Sequence, residues 1–168
     1  MESRAKLFGH PIHPMLIVMP LGLFISAGIL DAVYLGTRNA AIGTVGFWNI
    51  GIGILGGLLA AVFGLIDWLA IPSGTRAKRI GLMHAGINVV VIAILALVWL
   101  DRYVTVDHLP STQNVMIEAG ALALVMVAGW LGGELVDRLG VGVDDGANLN
   151  APNSLSGRPA NAAVPRPR

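Results

Sequence analysis

Four long apolar blocks constrain this chain more than any other feature of its sequence. They cover residues 14–35, 45–71, 80–100 and 115–136, and each is continuous. A helix needs about 20 apolar residues to cross a bilayer, so each block is long enough to span one. The strands of a membrane β-barrel would instead alternate apolar and polar residues. With the short loops between the blocks, the sequence predicts an all-α integral membrane protein, an antiparallel four-helix bundle.

The composition agrees with this class and excludes several others. The chain is 55% hydrophobic and 12% charged, whereas roughly 25% charged residues are usual in a soluble domain. It contains no cysteine, which excludes disulfides, iron–sulfur clusters, thiolate metal sites and covalently attached c-type haem. A net charge of +1 does not indicate a nucleic-acid partner. The predicted partner is the lipid bilayer.

The sequence also predicts the extent of the membrane domain and its orientation. Residues 1–142 form the four-span domain, and the Asn-, Pro- and Gly-rich residues 143–168 are predicted to be a disordered cytoplasmic tail. Basic residues near the span ends are concentrated on the side of both termini, and such residues favour the cytoplasm. That side holds Arg4, Lys6, Arg76, Lys78, Arg79 and Arg138, and the other holds Arg38 and Arg102.

Three ionisable side chains lie within the predicted spans, where a charge costs roughly 2.5–3.5 kcal/mol at mid-depth. Asp67 precedes the end of the second span, His84 follows the start of the third, and Glu134 precedes the end of the fourth. At 1.5 Å per residue, all three lie roughly 6–8 Å below the same membrane surface. Each could form an ordinary interfacial contact alone, but their common depth predicts one cluster.

The stretch "GHPIHP" at residues 9–14 leads into the first span from the same side. Proline restricts the residue before it, so His10 and His13 are predicted in an extended or turn conformation, folded over the end of the bundle. We therefore predict a cytoplasm-facing site in which His13 and His84 bind a cofactor. The candidate metal ligands are His10, His13, Asp67, His84 and Glu134.

The opposite side carries a second group of polar residues, to which the sequence assigns no chemistry. They are Asp31, Asn49, Asp101, Arg102, His108 and Glu118. We expect Asp31 to bond Asn49 across the first hairpin and His108 to be solvated. Asp101 and Arg102 flank a span end, where extension toward the interface and pairing are both common.

Small residues in the second span predict close helix packing. Gly53, Gly57 and Ala61 recur at intervals of four, the spacing that lets helix backbones approach in lipid. We interpret this stripe as packing within the bundle rather than as the face of a homo-oligomer, which remains the alternative.

The segments "GHPIHPMLIVMPLGLF", "GLIDWLAIPSGTRAKRIGLMHAGIN" and "GGELVDRLGVGV" resemble the bacterial membrane family called domain of unknown function 2231, over residues 7–143. The resemblance implies a four-helix module of the bacterial inner membrane. It also implies association with redox proteins, since similar modules are joined to Rieske or cytochrome c domains in longer proteins. The family's site positions correspond to His10, His13, His84, Asp67 and the Gly133–Glu134 pair. Relatives often carry an aromatic residue where this chain has Asp137, which is therefore left out of the site.

Three functions fit these observations. The first is a membrane module that binds a b-type haem or a single Fe, Cu or Zn ion and serves redox proteins. The second is a proton or small-solute pathway, although the middle of the spans has no ionisable residue. The third is a structural or partner-binding subunit without chemistry of its own. The sequence names no enzyme reaction.

Overall fold

A computed structural model describes residues 1–162 of the chain. Its helices are α1 Ile12–Leu16, α2 Val18–Thr37, α3 Ala40–Ala70, α4 Arg76–Tyr103 and α5 Thr112–Gly133. The first two follow one another almost without a break, and α5 continues into a π-helical turn, Glu134–Arg138. Four segments are therefore long and apolar enough to cross a membrane, namely Ile12–Thr37, Ala40–Ala70, Arg76–Tyr103 and Thr112–Arg138. The prediction of a four-helix membrane bundle is confirmed.

Polar caps set where the helices begin. Asn39 accepts a hydrogen bond from the Ala41 amide, and Thr75 accepts one from the Lys78 amide. Ser111 and Asn114 form a reciprocal capping box at the start of α5. These side chains satisfy amides that have no partner within the helix, which matters where the surroundings contain little water.

The helices pack in chain order, and α5 closes the ring against α2. A small core of Phe24, Ala27, Ile50, Val91, Leu95, Val98, Ala121 and Val125 lies between them. Glycine allows the close contacts: a Cβ at Gly53 would overlap the Phe24 ring, and one at Gly57 would lie 3.2 Å from Ile92. Both glycines of the predicted stripe thus contact neighbouring helices of the same bundle.

The two ends of the bundle are built differently. We call the end that holds both termini and residues 71–75 the terminal end, and the end with residues 38–39 and 104–111 the hairpin end. An N-terminal strap, residues 1–11, covers the terminal end. It contains a two-stranded hairpin, β1 Lys6–Leu7 and β2 His10–Pro11, which turns through Phe8 and Gly9, both at positive φ. Such turns suit the right-handed twist of a hairpin.

The segment after the bundle packs against the strap as far as it is described. The Met1 amino group donates to Gly140 O at 2.8 Å, and the Gly142 amide donates to Met1 O at 2.9 Å. Residues 143–162 contain turns and one 3-10 turn, Ser154–Ser156. The disorder of residues 143–168 stays a prediction, and residues 163–168 lie outside the described part.

Candidate functional site

His13 lies in α1, so the extended or turn conformation predicted for it was wrong, and its ring rests against α3. Its Nδ1 is 2.8 Å from Ala60 O. In an α-helix the carbonyl of residue 60 points toward residue 64, and that residue is Gly64. A Cβ at Gly64 would lie 2.9 Å from both Cε1 and Nδ1 of His13. The missing side chain therefore leaves the carbonyl open to the imidazole.

His84 repeats this arrangement between another pair of helices, α4 and α5. It lies in α4, and its Nδ1 is 2.9 Å from Ala128 O of α5. Gly132 stands four residues after Ala128, and a Cβ there would lie 3.4 Å from His84 Cε1. In each case an alanine carbonyl and the glycine four residues later form a recess that holds the imidazole, which we call the seat of the histidine. The small-residue stripe of the sequence analysis consisted of other residues, Gly53, Gly57 and Ala61, so these two contacts were not predicted.

The hydrogen-bond partners define the tautomer of both rings. A carbonyl oxygen can only accept, so Nδ1 carries the proton in His13 and in His84. The Asn88 amide nitrogen donates to His84 O at 2.8 Å and lies 3.3 Å from His84 Nε2. Since this nitrogen is a donor, His84 Nε2 faces it as the acceptor of a neutral ring. Within residues 1–162, no hydrogen bond engages His13 Nε2.

The two imidazoles are neighbours. Their ring centroids are 6.3 Å apart and their planes are nearly perpendicular, at 84°. Both residues are half-buried. The structure thus brings together the two residues that were predicted to bind a cofactor.

Asp67 lies at the same end but binds the strap. Ser3 Oγ donates to its carboxylate at 2.8 Å, and the amides of Arg4 and Ala5 donate to its Oδ1 at 2.7 and 3.4 Å. Ser3 is buried beneath the strap. Hydrogen bonds to a carboxylate are stronger than those between neutral groups. Asp67 therefore anchors the N-terminal strap to the bundle.

The remaining two predicted ligands also have partners of their own. Glu134 pairs with Arg76 across α5 and α4 at 2.6 Å. His10 is exposed, and its Nε2 lies 3.3 Å from Ser154 Oγ. Among residues 1–162, no group of three or more His, Asp or Glu side chains could hold a metal ion. The described chain therefore does not assemble the five predicted ligands into one site.

A second ionic contact ties the strap to the chain beyond the bundle. Lys6 Nζ lies 2.5 Å from Asp144 Oδ1 and 2.7 Å from Glu2 Oε2. The hydrogen bond to Asp144, followed by the one to Glu2, raises the pKa of Lys6. The hydrogen bond from Lys6, followed by that from the Asp145 amide, lowers the pKa of Glu2. Both ends of the described chain thus close over the histidines' end of the bundle.

The hairpin end contains a charged cluster that the sequence analysis missed. Arg102, Asp31 and Glu118 are only 1%, 0% and 2% exposed. Arg102 binds the Asp31 carboxylate through both terminal nitrogens, at 2.5 and 3.3 Å. Its Nη1 also lies 3.4 Å from Glu118 Oε1. We call these three residues the buried triad.

Two expectations for this end were wrong. Asp31 does not bond Asn49, whose amide donates to Ser26 Oγ at 3.1 Å. Of the two outcomes expected for Arg102, the structure shows pairing, and Gly43 O and His108 O accept its remaining bonds at 2.8 and 3.0 Å. His108 is not simply solvated, since its ring stacks on Phe47 at 4.4 Å. The loop at residues 104–111 folds back over the helix ends and brings His108 onto Arg102 and Phe47. The length of an apolar block does not predict the path of such a loop.

The chain matches a known protein family. The family model described as "Predicted membrane protein (DUF2231)" matches residues 9–145. No curated protein and no solved structure matches the chain.

Proposed function

Since the chain belongs to the predicted membrane protein family DUF2231 and has four candidate spans, we propose that it is a redox module of the membrane. In this proposal His13 and His84 supply the two protein ligands of one metal centre. The family itself has no established function. The pair of imidazoles is the observation that carries the proposal.

The separation of the rings supports ligation of a single ion. With metal–nitrogen bonds of about 2.0–2.1 Å, two imidazoles that held one ion would have centroids no more than roughly 6.5 Å apart. The observed separation is 6.3 Å.

The tautomers support the same function. A ligating histidine typically donates its second ring N–H to a carbonyl or carboxylate, which fixes the ring and makes the other nitrogen available. Ala60 O and Ala128 O have this role for His13 and His84. Binding at His84 Nε2 would replace its contact with Asn88.

The number of ligands favours haem over a bare ion. A structural zinc site uses four protein ligands, whereas the described residues offer a histidine pair and no group of three. Haem iron needs only one or two axial protein ligands, because the macrocycle provides the others. When bound, such a haem would supply one-electron transfer; the two histidines would hold the iron, and the surrounding apolar helices would exclude water.

The proposal includes a cellular location and redox partners. We propose a bacterial inner membrane with the terminal end in the cytoplasm, because the basic flanking residues are concentrated there. At that end the strap bonds Gly140 O through Met1 and the Asp67 carboxylate through Ser3. Electron partners would then dock on the cytoplasmic side, and a homo-oligomer is compatible with the lipid-facing helices.

The test is an absorption spectrum and elemental analysis of the whole protein purified in detergent, before and after addition of haem. We expect a Soret band in the wild type that is lost in His13→Ala and His84→Ala and retained in His10→Ala. His10 is the matched control, because it lies at the same end and does not contact the pair. A Soret band in the absence of stoichiometric metal other than iron identifies haem. Copper or zinc in stoichiometric amount without a Soret band identifies a bare ion.

One observation favours a second candidate, a structural role without chemistry. The bonds from His13 to Ala60 O and from His84 to Ala128 O each join two helices, and such bonds stabilise membrane bundles by about 0.6–2 kcal/mol. Finding neither a Soret band nor stoichiometric metal, together with lower stability of both histidine variants, would favour this role over the redox function.

A further inference from the structure

The buried triad combines two carboxyl groups with one guanidinium. Asp31 is on α2, Arg102 is near the end of α4, and Glu118 is on α5, so three helices contribute one charged group each. The Asp31 carboxylate also packs so closely on Gly46 of α3 that a Cβ there would overlap it. Glu118 Oε2 is buried and has no hydrogen-bond partner among residues 1–162. All four long helices therefore meet at this cluster.

The charges of the triad do not balance if both carboxyl groups are ionised. Two carboxylates and one guanidinium sum to −1, and an uncompensated buried charge costs several kcal/mol. The two carboxyl groups are also neighbours, because Arg102 Nη1 lies 2.5 Å from Asp31 Oδ2 and 3.4 Å from Glu118 Oε1. Since an ionised carboxylate can only accept, a hydrogen bond between two of them requires a proton on one.

No second cation compensates the triad within residues 1–162. On α2 and α3 the neighbouring groups are apolar side chains, glycine and Gly43 O. On α4, Asp101 is exposed and accepts a bond from Asn114 at 3.0 Å. In the loop, Asp107 is exposed. His108 donates from Nδ1 to Arg102 O at 3.0 Å and pairs with no carboxylate among the described residues.

We propose that the buried triad is a proton-binding site in which Asp31 and Glu118 share one proton at neutral pH. The proton lies between the two carboxyl groups, so that the protonated group donates to the ionised one. Arg102 balances the remaining negative charge and orients Asp31 through its paired bonds. The ligand is a proton from the aqueous phase at the hairpin end, where residues 104–111 cover the site. The histidine pair of the proposed redox function lies at the other end and is independent of it.

The test is infrared spectroscopy of the full-length protein in detergent, through the carbonyl stretch of a protonated carboxyl group. We expect this band in the folded wild type at neutral pH and its loss in both Glu118→Gln and Asp31→Asn. In each variant the remaining carboxylate pairs with Arg102 and no longer needs the proton. Asp107→Asn, which changes an exposed acid at the same end, should retain the band.

Each outcome decides the proposal. Absence of the band from the folded wild type at neutral pH would overturn it. Retention of the band in either Glu118→Gln or Asp31→Asn would also overturn it, because the proton would then belong to one residue alone. If a variant does not fold, the wild type decides: disappearance of the band for one carboxyl group per chain on raising the pH supports the site, and a pH-independent spectrum overturns it.

Discussion

The two ends of this bundle satisfy their polar groups in opposite ways. At the hairpin end, Arg102, Asp31 and Glu118 are almost completely buried and bind mainly one another. At the terminal end, Asp67 binds a separate segment, the strap, and Glu134 binds an Arg76 side chain that is 53% exposed. One end is closed by ions inside the bundle, and the other is closed by chain that lies across it.

We expect the hairpin end to contribute most to the stability of the bundle and the terminal end to allow access to its interior. A buried ion pair resists change, because removing one partner leaves the other charge without compensation. A strap held by hydrogen bonds can open without unfolding the helices, since local opening needs less free energy than global unfolding. The histidine pair lies at the terminal end, which the strap covers.

Loss of Arg102 should have the largest effect on stability. Arg102→Met leaves Asp31 and Glu118 buried without a cation, and we expect the free energy of unfolding to fall by about 3–5 kcal/mol. The measurement is reversible unfolding of the purified protein in mixed micelles. Arg38→Met is the matched control, because Arg38 is exposed at the same end, and it should change stability by less than about 0.5 kcal/mol. Equal losses in the two variants would mean that the hairpin end is not held together by its buried ions.

The sequence predicted the bundle but not the buried triad. Apolar block length decides how many helices cross a membrane, and the positions of the span ends placed His13 and His84 at the same end. The same reasoning left Arg102 undecided, because a residue at the end of an apolar block can either extend into water or form a pair beneath the following loop. Asp67 shows a similar limit: its depth was evident, but its bonds to Ser3 and Arg4 depend on the path of the strap.

Filling the seat of His13 should have the next largest effect, this time at the terminal end. In Gly64→Ala the new Cβ would lie 2.9 Å from two atoms of the His13 ring, and such overpacking typically costs about 1–3 kcal/mol. We expect lower stability and loss of the His13 Nδ1–H signal bonded to Ala60 O in NMR spectra. Gly86→Ala is the control, because nothing lies within 4 Å of a Cβ at that position. An unchanged His13 signal in Gly64→Ala would show that the seat is not selective for glycine.

Neutralising Asp67 should release the strap while the bundle stays folded. In Asp67→Asn the charge that accepts from Ser3, Arg4 and Ala5 is lost, and we expect a local loss of about 1–2 kcal/mol. Hydrogen exchange should show faster exchange of the Arg4 and Ala5 amides, with α2–α5 protected as before. Asp137→Asn changes an exposed acid at the same end and should leave both amides protected. Uniformly faster exchange in the helices of Asp67→Asn would contradict the separation of strap and bundle.

The smallest effect concerns the ionic contact between the strap and the chain beyond the bundle. Lys6 lowers the pKa of Glu2 below its ordinary 4.5. The contribution of Glu2 to the stability of the contact is therefore complete above pH 4.5 and is lost as the pH falls through the lowered pKa. Asp144 raises the pKa of Lys6 above 10.5, so the contribution of Lys6 to that stability is complete below pH 10.5 and is lost as the pH rises through the raised pKa.

The measurement is the NMR shift of the Asp145 amide, which donates to Glu2 Oε1 at 3.3 Å. This shift should stay constant between the two pH limits and move only beyond them. The unfolding temperature of the bundle should show no corresponding change, because the contact lies at its exposed end. In Lys6→Gln the acid midpoint should return toward the ordinary value of a glutamate. A midpoint that is the same in wild type and variant would show that Lys6 does not hold Glu2, and the strap would then depend on Asp67 and the Met1 contacts alone.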